Sequence, residues 1–192
     1  MKKYLFTSLL LALAIGLVAC GGEQESSSEE TMESESSGEE AMAADDGVRT
    51  INLIGTDDMK FVVEEEAEGI VTAGPSGQNL LLESIEAAPG EEIRVTLTTV
   101  SNLPPTAMSH NFALLEMGSD ADAFARASIT ARDNDYISPD FADQVIIHTA
   151  MLGADETDSI TFTVPEEPGE YTFLCTFPGH YAGGMVGTLI VQ

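Results

Sequence analysis

Three side chains suited to a soft, redox-active metal stand within eleven residues: Cys175, His180 and Met185, in the run Cys-Thr-Phe-Pro-Gly-His-Tyr-Ala-Gly-Gly-Met. Thiolate, imidazole and thioether together are a ligand set for copper. Cu(I) favours soft sulfur and Cu(II) favours nitrogen. A fixed set of two imidazoles and one thiolate, with a weak axial thioether, is therefore a compromise between the two states. A second imidazole is needed, and the chain offers His110 and His148. His110 lies in Met108-Ser-His-Asn-Phe112, where Asn111 is placed to hydrogen-bond across to the Cys175 segment and orient the ligands. His148, in Ile146-Ile-His-Thr149, sits in mid-strand and reads as a surface or otherwise satisfied histidine. Met185 taken alone reads as core packing, since Met59, Met108, Met117 and Met151 are also present. A buried inert thiol is the bland reading of Cys175. In an exported chain a free thiol tends to oxidise, and ligation explains its persistence better.

The elements that must hold these groups read as strands. Ile93, Val95 and Leu97 alternate with Arg94, Thr96 and Thr98, the period of a half-buried strand. Ile160, Phe162 and Val164 alternate likewise, as do Tyr171, Phe173 and Cys175. Further strands are expected at 51–54, before Gly55-Thr-Asp-Asp, and at 61–63, 108–115, 146–151 and 185–191. Ala87-Ala-Pro-Gly90 and Pro165-Glu-Glu-Pro-Gly169 are turns. Short strands separated by turn signals predict an all-β Greek-key sandwich. The one helical candidate runs from Ser119, as its cap, to Ala131; its apolar positions are mostly alanine, so it is expected to lie as a flap on the sandwich.

The chain ahead of this domain has a different character. Lys2 and Lys3 precede an apolar run from Tyr4 to Ala19, the layout of a secretory signal, and one shorter than a comfortable membrane span. Leu17-Val18-Ala19-Cys20 resembles a bacterial lipobox, which makes residues 1–19 a cleaved signal peptide and Cys20 the lipidated residue. Residues 20–47 then form the anchor and an acidic linker without apolar periodicity, which is expected to be disordered. The domain is expected over 48–192, exported and tethered to a bacterial membrane, on its periplasmic or extracytoplasmic side.

The whole chain has 33 acidic side chains against 7 basic. Residues 47–192 alone hold 23 acids against five bases (Arg49, Lys60, Arg94, Arg126 and Arg132), a net charge near −18. That excludes nucleic acid as a partner, because phosphates need lysine and arginine. With only Cys20 and Cys175, in segments of unlike character, a disulfide framework is excluded too.

Residues 48–192 resemble a cupredoxin of the azurin and auracyanin group. Asn102-Leu-Pro, Met108-Ser-His-Asn, Asp135-Tyr-Ile-Ser-Pro-Asp140, Val145-Ile-Ile-His-Thr149 and Cys175-Thr-Phe-Pro-Gly-His180 carry the resemblance, in that order. The resemblance implies one type 1 copper, with His110, Cys175 and His180 as equatorial ligands and Met185 as the axial one. It implies that backbone N–H groups of Asn111 and Phe177 reach the Cys175 sulfur, and it places His148 away from the metal. Ser109 stands where azurins carry a glycine whose carbonyl approaches copper. Four residues, Tyr181 to Gly184, separate His180 from Met185, where azurins have three. Both departures favour four-coordinate copper. The azurin disulfide has no cysteines here.

The function expected from this reading is one-electron transfer between membrane-associated or periplasmic redox proteins, and not catalysis. His180 lies in a loop, where its ring edge can face outward. Leu103, Pro104, Met108, Phe177, Pro178 and Ala182 supply an apolar patch around it for brief docking. Expected partners are c-type cytochromes or a terminal oxidase, met by a monomeric domain, with the acidic surface steering cationic ones. The competing reading is a lipoprotein that stores or delivers copper. Such a protein is expected to show exposed, loosely spaced ligands rather than a few rigidly spaced ones.

Overall fold

The computed structural model describes residues 47–192. The signal peptide, Cys20 and all of the linker but Gly47 lie outside the described residues. Ten strands follow: β1 (Arg49–Thr56), β2 (Lys60–Val63), β3 (Ile70–Ser76), β4 (Asn79–Ala87), β5 (Glu92–Val100), β6 (Ala113–Leu115), β7 (Val145–His148), β8 (Thr157–Thr163), β9 (Gly169–Leu174) and β10 (Val186–Val191). One α-helix, α1 (Ala121–Ser128), lies between β6 and β7. The sheet order is β7-β6-β9-β10-β4-β2-β1-β5-β8, with β3 added to β4. The end strands β7 and β8 touch, so the sheet curls over itself into the all-β sandwich expected from the alternation. β1 runs parallel to β5 and β10 parallel to β4, while the other pairs are antiparallel. Those two parallel pairs join strands distant in sequence, which is how long connections carry the chain from one layer to the other.

Alternation decides what faces inward. On β5, Ile93, Val95 and Leu97 are fully buried, while Arg94, Thr96 and Thr98 line the opposite face. There Thr96 and Thr98 meet Ser159 and Thr157 of β8 at 2.8 and 2.9 Å, so the outer layer is tied by hydroxyl pairs. Inside, Phe61, Phe112 and Phe173 form an aromatic cluster with ring centres 5.1–6.2 Å apart. Burying a side chain of this size is worth about 1.5–3 kcal/mol. Phe112 and Phe173 also fix the two segments that lead into the metal-type side chains, so core packing and site geometry are linked here.

The structure departs from the sequence reading in several places: among them, the strand expected at 146–151 is β7, Val145–His148, and the helix expected to reach Ala131 ends at Ser128. The β3–β4 hairpin was not expected, because Ala73-Gly-Pro-Ser-Gly77 reads as loop; β3 pairs with β4 alone and its register breaks twice, as an edge strand with Gly and Pro must. β1 runs through Gly55 instead of ending before it. The strand expected at 108–115 is regular only at Ala113–Leu115. The helix is capped by Asp120, not Ser119: Asp120 Oδ1 accepts the Ala123 N–H at 3.0 Å. Its Phe124 is fully buried in a small second core with Ala113, Leu115, Ile137 and Leu174, so α1 is anchored more deeply than a flap.

Candidate metal centre

His110 follows the turn at Leu103–Ala107 and is held by backbone alone: its N–H donates to the Leu152 carbonyl at 2.9 Å, and the Leu152 N–H donates back at 2.8 Å. The ring then lies over β1. A Cβ on Gly55 would sit 2.7 Å from the His110 ring carbons, so only glycine leaves room for the imidazole at that point of the strand. A glycine interrupting an apolar strand was the available signal, although it does not name its partner.

Cys175 comes directly after β9, and its N–H donates to the Met185 carbonyl at 3.1 Å, one step beyond the last β9–β10 pair. Between them the chain makes a single helical turn. The Gly184 N–H donates to the Tyr181 carbonyl and the Met185 N–H to the His180 carbonyl, both at 2.9 Å, with Gly184 at φ +87°. These 5→2 and 6→1 bonds around a left-handed glycine are a Schellman motif. That motif brings the first and last residues of its six-residue span together, and here those residues are His180 and Met185. The four-residue gap is thus the length that the turn requires.

Asn111 joins the two halves. Its Oδ1 accepts the Thr176 N–H at 2.8 Å, and its Nδ2 donates to Thr176 Oγ1 at 2.7 Å and to the Asp135 carbonyl at 3.3 Å. Asp135 and Tyr136 are both left-handed, at φ +49° and +55°. Their strained backbone sets the Tyr136 ring against Phe177, at 5.5 Å, which in turn lies 4.8 Å from the His180 ring. Tyr136 was not singled out in the sequence.

The result is a closed cluster. His180 Nδ1 lies 3.4 Å and His110 Nδ1 4.0 Å from Cys175 Sγ, and the three donors fall within 4.8 Å of one another. Donors this close could share one metal bonded at about 2.0–2.3 Å to nitrogen and sulfur. Met185 Sδ joins them, 3.1 Å from His110 Nδ1. All four side chains are buried, and His180, whose ring edge was expected to face outward from its loop, keeps only 2% of its exposure because Phe177 packs against its ring. Burial lowers the pKa of His180 to about 4. Burial and the neighbouring His180 bring His110 to about 4 as well, against a weaker upward pull from Asp57 and the Thr56 backbone. Both imidazoles are therefore neutral, with lone pairs available, at any pH above that. Burial pushes the Cys175 thiol up to about 12, opposed by the backbone N–H groups of Asn111 and Phe177. The thiol must lose its proton to bind a metal.

The remaining residues of interest divide. Ser109 is buried and its hydroxyl donates to the Pro105 carbonyl at 2.8 Å. Leu103, Pro104 and Ala182 are exposed and Pro178 is half-buried, whereas Met108 and Phe177 are buried beneath them. His148 stands apart, exposed, with its ring hydrogen-bonded to the Thr149 carbonyl at 2.9 Å.

Two imidazoles, a thiol and a thioether converging at the end of a β-sandwich define a type 1 copper protein. Residues 79–192 match the model of the copper binding proteins of the plastocyanin/azurin family, and the chain belongs to that family. Its cofactor is copper. The chain is 38% identical to azurin of Pseudomonas aeruginosa over 104 residues, 53% of this chain and 69% of that one. It is 35% identical to auracyanin-B of Chloroflexus aurantiacus over 122 residues, 63% of this chain and only half of that protein's length. The solved structure of dithionite-reduced auracyanin from the photosynthetic bacterium Roseiflexus castenholzii superposes with a TM-score of 0.57, at 29% identity, over 74% of this chain and 96% of that one.

Proposed function

We propose that this chain is a one-electron carrier that shuttles electrons between membrane-associated or periplasmic redox proteins. The observation that carries this reading is the closure of the four donors into one buried cluster held by bonds that need no metal. When bound, copper supplies the Cu(II)/Cu(I) couple. His110, His180, the deprotonated Cys175 and Met185 are the residues that would hold it. Asn111, the Schellman turn and Gly55 hold these donors through backbone and core contacts, so their positions need not change with oxidation state. Backbone N–H groups of Asn111 and Phe177 stabilise negative charge on the sulfur. A set of saturating ligands leaves no open position for a substrate, which favours a carrier over an enzyme.

Electrons leave by His180, through the surface formed by Leu103, Pro104, Pro178 and Ala182 with Met108 and Phe177 beneath. The acidic domain steers a cationic partner, such as a c-type cytochrome, to that patch; transfer rates that fall as salt rises are the expected sign. The lipobox at Leu17–Cys20 supports tethering of the domain by lipid on Cys20. Incorporation of labelled fatty acid that disappears in Cys20→Ala tests that part.

The test of the central reading is the absorption and EPR spectrum of the copper-loaded chain, wild type and Met185→Leu. An intense visible band with reversible one-electron redox, and copper retained in both states, is expected. Copper lost on each reduction would instead mark a storage or delivery protein. A Met185→Leu chain unchanged in both spectrum and potential would remove Met185 from the ligand set.

A further inference from the structure

The Schellman turn between His180 and Met185 satisfies only part of its own carbonyls. His180 and Tyr181 accept from Met185 and Gly184, and Gly179 accepts from Gly183, but Gly183 itself sits at the cap of the turn with no intraloop donor. Lys60 supplies it: Nζ donates to the Gly183 carbonyl at 2.5 Å, across 123 residues of sequence. Two observations show that the fit is built. A Cβ on Gly184 would fall 2.8 Å from that Nζ, so the glycine at the left-handed position also makes room for the ammonium. Met59, the residue before Lys60, packs its thioether 3.1 Å from where a Gly183 Cβ would lie. Met59 is itself left-handed, at φ +57°, and this turn aims the start of β2 at the loop. Lys60 is also one of only five cations in a domain with 23 acids. Its ammonium is committed to a carbonyl between two copper ligands.

We propose that Lys60 is a positioning residue for the copper centre. Its ammonium clamps the Tyr181–Gly184 turn, which fixes the Met185 sulfur relative to the His180 imidazole. Its positive charge beside the site disfavours the more highly charged Cu(II) state and so raises the reduction potential. The metal-directed half of this inference rests on the electron-carrier reading above; the clamp itself does not. Gly55 and Lys60 make the β1–β2 hairpin a common brace, one residue seating His110 and the other holding the loop that carries His180 and Met185.

The experiment compares the full chain as wild type, Lys60→Met, Lys60→Gln and Lys60→Arg. In the copper-free chain, amide exchange at Gly183, Gly184 and Met185 is expected to rise about tenfold in Lys60→Met and Lys60→Gln. β5 amides, as a control for the fold, stay unchanged. In the copper-loaded chain the two neutral variants shift the potential downward and alter the copper hyperfine splitting, and Lys60→Arg restores both toward wild type. Neutral variants with wild-type exchange overturn the clamp. Faster exchange with unchanged potential and hyperfine splitting overturns the role at the metal and leaves a purely structural contact. A wild-type chain that never shows the visible copper band defeats the electron-carrier reading instead, and the exchange measurement, made without copper, still judges the clamp.

Discussion

The Met185 N–H donates to the His180 carbonyl at 2.9 Å, so the Met185 thioether and the His180 imidazole are carried by the two ends of one hydrogen-bonded turn. Ligand spacing and turn geometry are here the same fact. Gly184 is the residue that permits it, at φ +87°, and a Cβ there would meet the Lys60 Nζ at 2.8 Å. Gly184→Ala is expected to destabilise the copper-free chain by about 1–3 kcal/mol, read as a lower urea midpoint at unchanged slope. In the copper-loaded chain the same change alters the EPR signal, because the strain falls on the link between two ligands. Gly184→Asn tolerates the left-handed region but still sets a Cβ 2.8 Å from the Lys60 Nζ, so it recovers part of the stability and less of the EPR signal.

How far the site was legible follows from what each residue's signal depends on. Cys175 and His180 stand out by chemical type and spacing, His110 and Met185 were assigned through the family resemblance, and the structure brings the four together. The turn between His180 and Met185 was not read, although Gly184 stands one residue before the end of the six-residue span, where a Schellman motif needs it. Gly55 and Lys60 were not readable in their roles, because each acts on a partner 55 or 123 residues away and carries no mark of it. The β3–β4 hairpin was hidden for another reason: Gly74, Pro75 and Gly77 carry loop propensity, and only the tertiary context of an edge makes them a strand. Met108 and Phe177 look like surface apolars in sequence but are buried, Phe177 with the Tyr136 ring against it at 5.5 Å.

Gly55 yields a prediction with an internal control. A methyl group there meets the His110 ring at 2.7 Å, and one on Gly187 meets the Phe173 ring at 2.3 Å. Both Gly55→Ala and Gly187→Ala overpack a filled core and are expected to cost about 1–3 kcal/mol. Only Gly55→Ala displaces a ligand. Copper titration should show weakened binding and an altered visible band for Gly55→Ala alone, at comparable losses of stability.

Asn111 is the cross-link between the His110 segment and the Cys175 segment. Asn111→Ala leaves the Thr176 N–H and hydroxyl without their partner in a buried place, and each such loss costs about 1–3 kcal/mol. The expected result is a clear fall in the unfolding midpoint of the copper-free chain. A copper band that shifts on top of the lost stability follows from the same bonds, because Thr176 adjoins the ligating sulfur. Asn111→Asp keeps the acceptor for the Thr176 N–H but loses the donor, so its thermal unfolding should fall between wild type and alanine.

Acid and alkali act on the copper-free chain with opposite signs. His110 and His180 titrate near 4 when folded and at an ordinary 6.5 when unfolded. Between those values the unfolded chain binds protons that the folded chain refuses, so stability falls as pH drops from about 6.5 toward 4. The slope reaches at most about 1.4 kcal/mol per pH unit for each histidine. Cys175 runs the other way: its folded value near 12 stands above an ordinary 9.0, so the unfolded chain releases a proton first and stability falls as pH rises above about 9. Urea midpoints of the copper-free chain should therefore form a plateau between about 6.5 and 9. Copper binding adds a proton count that can be checked separately. With neutral imidazoles and a protonated thiol at neutral pH, binding releases one proton, from Cys175, and the dissociation constant should rise about tenfold for each unit of pH lowered across 5–8. A slope near two there would mean that an imidazole also enters the site protonated, contrary to the burial of both rings. A slope near zero would mean that the thiol is already ionised, contrary to the burial of its sulfur.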